Sequence, residues 1–179
     1  MRSIVDCYQE GETMSFFVLD ANPVQSANRL CWLDCESVAF EGARIIVSAF
    51  KHHGGEIEDI GFEPLDKFPN HPLVRFAIVS ADNARWMMRY TRAATIKWGK
   101  DDSSKYKEVM EKLNKVASRI DSTIPHGQTT LFGNFYVDEK SAVILSQESI
   151  DSNRAYYERT RQHLSWGDHE PTLYGGEQE

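Results

Sequence analysis

Apolar positions return along this chain at helical spacing in several stretches, with turn residues between them. From Gln25 to His53 the stripe Val38, Gly42, Ile45, Ile46, Ala49 and Phe50 recurs every three or four residues, which predicts a helix buried along one face. A break near Asp34 stays open, because aspartate caps helix N-termini well and could start a second helix there. Gly54 and Gly55 end the segment. His52 and His53 precede that end, where a cationic imidazole suits the helix dipole; a metal would need partners that the sequence does not indicate. Pro72 to Val79 predicts a short helix, and Ser80 or Asp82 caps the next one, which runs to Trp98 before Gly99 stops it. Tyr106, Val109, Met110, Leu113, Val116 and Ile120 mark a further long helix, capped by Ser103 or Ser104, and a last helix is expected from about Gln147 to Trp166.

The intervening pieces differ in character. Ser3 to Gln9 and Met14 to Leu19 suggest two short strands about Gly11, and Asp20 to Pro23 offers a helix start with proline near the first turn. Glu56 to Pro69 carries five acids and two prolines, a candidate lid or surface loop. Ile124 to Val143, with Pro125, Gly127 and Gly133, is expected to be an ordered connecting loop. The expected fold is mainly α: a single-domain helical bundle over 1–166 with a small N-terminal β-hairpin, followed by an acidic tail at 167–179.

Composition narrows this picture without changing it. At 179 residues, with 41% hydrophobic and 11% aromatic side chains, the chain suits one core, and no apolar run approaches the ~20 residues that span a bilayer. The first residues, MRSIVDCYQEGE, contain no apolar signal region, so a cytoplasmic location is expected. Three cysteines cannot all pair within one chain, and the Cys31/Cys35 spacing matches no metal motif, so structural thiols are expected. P-loop, GxGxxG, HExxH and GxSxG patterns are missing, which leaves nucleotide hydrolysis, dinucleotide redox, zinc proteolysis and serine hydrolysis without support; no cofactor and no metal are expected.

Charge does change the picture. The formal net charge is −7, yet residues 83–120 hold ten of the 20 basic side chains against four acids, a net of +6 that leaves −13 for the remainder. Arg85, Arg89 and Arg92 fall at i, i+4 and i+7 on one helix face, with Trp86 and Tyr90 on a neighbouring stripe and Lys97 and Lys100 beyond. Guanidinium groups beside aromatic rings can hold phosphates while stacking on bases. A helix with arginine outside and tryptophan, methionine and tyrosine inside would give the same pattern.

Two further residues carry candidate chemistry. Glu41 sits between Phe40 and Gly42 in an apolar helix, where a carboxylate could serve as a general base or form a structural pair with Arg44 or Arg75. His71, held between Asn70 and Pro72, could move protons, bind phosphate or cap the following helix.

The order FFVLDANPVQSAN, a helix with Glu41 and Ala43, NHP, a tryptophan-containing helix closing on WGK, and a proline-containing loop before a last helix resembles a known family. This is the phage and bacterial family of small helical proteins labelled pyrimidine-dimer DNA glycosylase, endonuclease V type, and the likeness covers roughly residues 14 to 166. Pro23, Gln25, Ala27, Glu41, Asn70, His71, Pro72, Asn83, Trp86, Gly99 and Lys100 carry it. The departures are Trp32, Leu33, Asp34 and Ser37, which stand where phage members carry an Asp-Lys-His run and a following lysine. The resemblance implies an N-terminal amine as nucleophile with Glu41 assisting; His71 joins them as a candidate catalytic group, and Gln25, Asn70 and Asn83 are candidate substrate contacts. An amine is chemically suitable, with an ordinary pKa near 8. Here Met1 precedes the bulky Arg2, so the amine would be that of Met1 itself.

The expected function is accordingly a DNA-acting protein that handles a damaged or modified pyrimidine, with the phosphate backbone and a flipped base as its partner and no membrane. A transferase acting on modified thymine in DNA and a non-catalytic nucleic-acid-binding module on the same scaffold are the alternatives. A third class is an interaction factor whose acidic loop and tail meet a basic partner. The oligomeric state is not legible from the sequence.

Overall fold

Six helices follow one another in the computed structural model, which describes residues 17–65, 71–99 and 103–130, together with 150–158 apart from 152 and 156. They are α1 (Pro23–Asn28), α2 (Trp32–His52), α3 (Pro72–Val79), α4 (Ala81–Trp98), α5 (Ser103–Ala117) and α6 (Ile120–Thr123). The described residues of 150–158 are helical too, inside the last helix expected. No strand occurs among the described residues, so the expectation of a mainly helical fold holds. Most of the expected N-terminal hairpin, and the acidic tail, lie outside the described residues. The part of the hairpin that is described, 17–19, forms no strand, and its partners are side chains: Leu19 N–H donates to Ser26 Oγ (2.9 Å), while Val18 and Phe17 carbonyls accept from Asn153 Nδ2 (3.1 Å) and Tyr90 OH (2.7 Å).

The local signals explain most boundaries. Asn22 caps α1 by accepting from Val24 and Gln25 N–H, with Pro23 at the first turn where its missing N–H costs nothing. The break expected near Asp34 falls earlier, at residues 29–31, and Asp34 lies in the first turn of α2, where its charge suits the dipole. Cys31 occupies the N-cap without a side-chain cap; its N–H donates to Tyr157 OH (2.6 Å), and that hydroxyl donates onward to Asp34 Oδ2 (2.6 Å). Gly54, at φ +80°, ends α2 in the left-handed conformation that lets the next N–H, of Gly55, reach the Phe50 carbonyl (3.0 Å). Ser80 closes α3 and opens α4, its hydroxyl accepting from Asn83 N–H (3.2 Å).

The core is organised on α2 and α4, which run antiparallel: Lys97 meets the Asn28 and Leu30 carbonyls at one end, and Gly42 meets Thr91 further along. A Cβ at Gly42 would lie 2.2 Å from Thr91 Oγ1, so the buried Thr91 side chain packed against this point of α2 leaves room for glycine there. α1 covers one flank, α3 packs on α2 and α4, and α5 adds Val109, Leu113 and Val116. The acidic segment after α2 is fastened to the body, contrary to a free lid over its described part. Leu65 N–H donates to Ser48 Oγ (2.9 Å), and Arg44 donates to the Glu63 and Pro64 carbonyls (both 3.2 Å).

Candidate functional site

α2 and the start of α3 bring Glu41 and His71 together. Glu41 emerges from the middle of α2 and is 9% exposed. His71 is the N-cap of α3: its Nδ1 accepts from Leu73 N–H (3.2 Å) and its Nε2 lies 3.6 Å from Glu41 Oε1. Because Nδ1 accepts the cap hydrogen bond, the neutral ring carries its proton on Nε2, facing the carboxylate. Of the roles considered for His71, the cap is made through Nδ1, and Nε2 is left facing Glu41. Arg44 spends its guanidinium on two backbone carbonyls, and Arg75 is exposed on α3. The pair is held by a long helix and by a helix cap, which fixes both groups without depending on a loop.

The basic surface expected from the sequence is smaller in three dimensions. Arg85 is bound to Asp82 on its own helix and to Asp121. Lys97 satisfies the carbonyls at the end of α1, Nζ to Asn28 O at 2.8 Å. Across α5, Lys112 pairs with Glu108 (2.7 Å) and lies over the Phe62 ring, Lys115 donates to the Asp59 carbonyl (2.7 Å), and Arg119 pairs with Asp59. Arg119 holds the Asp59 carboxyl below its ordinary range, and Lys112 does the same to Glu108. Arg89, exposed, and Arg92, half-buried, make no ion pair among the described residues.

Trp86 does not offer a face for stacking. It is 6% exposed, stacks on Tyr90 at 5.3 Å between centroids, meets Phe76 edge-on and donates its indole N–H to the Ala21 carbonyl (2.8 Å). It forms the floor of a cleft of about 220 Å³ bordered by Pro23, Asp82, Arg85, Arg89 and Thr129. Asn83 is fully buried, and its side chain is consumed by the Phe76 carbonyl and by Thr130, whose N–H and hydroxyl both bond it at 2.8 Å. Its amide anchors the 125–130 loop across the start of α4. Gln25 is exposed on α1, whereas Met1, Asn70 and Lys100 lie outside the described residues.

The two described cysteines are free and buried. Burial pushes the Cys31 thiol up to about 11 and that of Cys35 up to about 12, so neither is a ready thiolate. Burial likewise raises the hydroxyls of Tyr90 and Tyr157. No cluster of three metal-ligating side chains occurs among the described residues, and His53 uses Nε2 on the Ile78 carbonyl (2.8 Å), tying the end of α2 to the end of α3. A larger, open cleft of about 510 Å³ lies beyond the C-terminus of α2, bordered by Phe50, Gly55, Glu56, Asp59, Arg119 and Thr123. Neither cleft is bordered by Glu41 or His71.

Sequence reasoning finds Glu41 and His71 separately but not their contact, which depends on α3 packing against α2. It also passes over Phe40, a large side chain 39% exposed beside Glu41, because a phenylalanine in an apolar helix gives no sign of facing water. No family model, no curated protein and no solved structure matches the chain.

Proposed function

We propose that the protein acts on DNA, with Glu41 and His71 as a proton-transfer pair at a damaged or modified pyrimidine nucleotide and Arg89 and Arg92 as contacts to the phosphate backbone. The reading is carried by one observation: a nearly enclosed carboxylate stands 3.6 Å from an imidazole nitrogen whose tautomer is fixed by a helix cap. In such a pair Glu41 accepts a proton from the attacking water or amine as that nucleophile bonds to the sugar carbon and the bond from the sugar to the base breaks; the base leaves with the electron pair and takes a proton from solvent, while His71 Nε2–H steadies the carboxylate between steps. The two arginines fit backbone contacts because their guanidinium groups are not committed elsewhere among the described residues.

A second reading, a non-catalytic module, is favoured by the ion pairs that neutralise Arg85 and Arg119 and weaken any landing surface for a polyanion. One experiment separates the two. The protein is incubated with duplex DNA containing thymine dimers or modified thymines, with and without borohydride to trap an amine adduct. Under the enzymatic reading the wild-type chain releases base or forms a trapped adduct, and Glu41→Gln lowers that rate by about 10²–10⁴-fold while DNA affinity is kept. Salt-sensitive binding with no product, unchanged by Glu41→Gln, selects the module.

A further inference from the structure

The cleft of about 220 Å³ floored by Trp86 lies apart from Glu41 and His71 and has a chemistry of its own. The Trp86 indole N–H is bonded to the Ala21 carbonyl at 2.8 Å, which ties the approach to α1 onto α4 beside the cleft. Arg85 and Arg89 stand one turn apart on α4, and both border the same space. Their commitments differ. Arg89 is exposed and makes no ion pair among the described residues, whereas Arg85 is shared between Asp82 and Asp121. Asp121 is 60% exposed and reaches Arg85 from α6 without bordering the cleft, so water screens that pair and exchange of its carboxylate costs little.

We propose that this cleft binds a phosphate monoester: Arg89 takes the phosphoryl oxygens, and Arg85 gives up Asp121 for the phosphate while keeping Asp82. The charges select that class. Two carboxylates on one guanidinium leave a surplus negative charge that Arg89 balances, so an anion enters by displacing an acid. A diester would replace the single charge of Asp121 with an equal one, but a monoester brings about −1.5 to −2 near pH 7 and gains from both arginines. The volume agrees. It falls below the roughly 300 Å³ of sites that enclose a whole small molecule, and suits the charged end of a ligand whose remainder stays in water. The buried indole keeps solvent from one side of the seat, which strengthens the contact. The inference goes beyond the DNA reading: it shares Arg89 with that reading and needs neither Glu41 nor His71.

The test follows the Trp86 indole N–H signal of the full chain by NMR as thymidine 5′-monophosphate is added, with thymidine as the comparison that lacks the phosphate. The expected result is a saturable shift with the nucleotide and none with thymidine. Arg89→Ala, at an exposed position, weakens binding by about tenfold or more, as loss of a charge-assisted contact does. Asp121→Asn, which releases Arg85, tightens it about threefold. Asp59→Asn removes an acid of the same charge from the Arg119 pair and leaves the affinity as it was, which separates release of Arg85 from a general change in net charge. A 5′-phosphorylated trinucleotide distinguishes the source of the phosphate: a strand end if it binds more tightly than the mononucleotide, a free nucleotide if less. No saturable shift, an equal shift with thymidine, wild-type affinity in folded Arg89→Ala, or equal affinities in Asp121→Asn and Asp59→Asn overturns the site. Each of these leaves the proton-transfer reading standing, because that reading is judged by base release and adduct trapping.

Discussion

The α2–α3 junction and the α4–α5 face both attract attention in the sequence as places with charge, and they reach opposite ends. At the junction a carboxylate and an imidazole are drawn out of water and oriented by the backbone, His71 through the cap it makes on α3. On the α4–α5 face the basic side chains are more numerous, yet Arg85, Lys112 and Arg119 meet acids and Lys97 and Lys115 meet carbonyls. Exposed pairs of that kind hold a surface segment in place and contribute little stability. A count of charges along a helix therefore says little about a binding surface until the partners of each charge are known.

Separating the two nitrogens of His71 gives the largest effect that would sharpen this contrast. His71→Ala removes the cap and is expected to cost about 1 kcal/mol, read as a shift in the denaturation midpoint. His71→Asn restores an N-cap acceptor and most of that stability but cannot reach Glu41, so turnover stays low. Should His71→Asn turn over substrate like the wild type, the junction is a cap and nothing more.

The α4–α5 face is tested by Arg89→Ala combined with Arg92→Ala. The expected outcome is a flatter salt dependence of DNA binding, by about 0.9 in the log–log slope for each phosphate that these arginines neutralise, with stability changed by no more than about 0.5 kcal/mol. An unchanged slope would mean that this face does not touch the backbone. The smallest effect concerns the acidic segment. Asp59 is held below its ordinary value of 3.8 by Arg119, so the folded state binds its proton less readily than the unfolded chain does. The pair's contribution is present above pH 3.8 and disappears as pH falls through the lowered folded value. Hydrogen exchange at residues 56–62 should accelerate there, and Asp59→Asn should show the faster exchange already at neutral pH.

The periodic helices are legible because their signals are local: a proline at the first turn, Ser80 as a cap, Gly54 as a stop. Boundaries and roles that depend on distant partners are not. Nothing near Cys31 announces the start of α2, since the group that meets its N–H is Tyr157, 126 residues away. Asn83 reads as a substrate contact in a first helical turn; the Thr130 that occupies its amide lies 47 positions on. The arginine spacing on α4 is correct, but the Asp121 that claims Arg85 comes from another helix. Trp86 and Phe40 show the same limit: either could have faced inward, and only the packing of α1 and α4 decides between them.

The three buried residues that lead into α1 have a consequence for how the molecule is made. Phe17 meets the ring of Tyr157 at 4.6 Å, and Val18 and Leu19 are bonded by Asn153 and Arg154. During synthesis this stretch leaves the ribosome with Asn153, Arg154 and Tyr157 still untranslated, a wait on the order of ten seconds at ordinary elongation rates. A nascent chain arrested before residue 150 should therefore display an apolar thread that chaperones can hold, and this mainly helical protein should finish folding more slowly than bundles closed by local contacts.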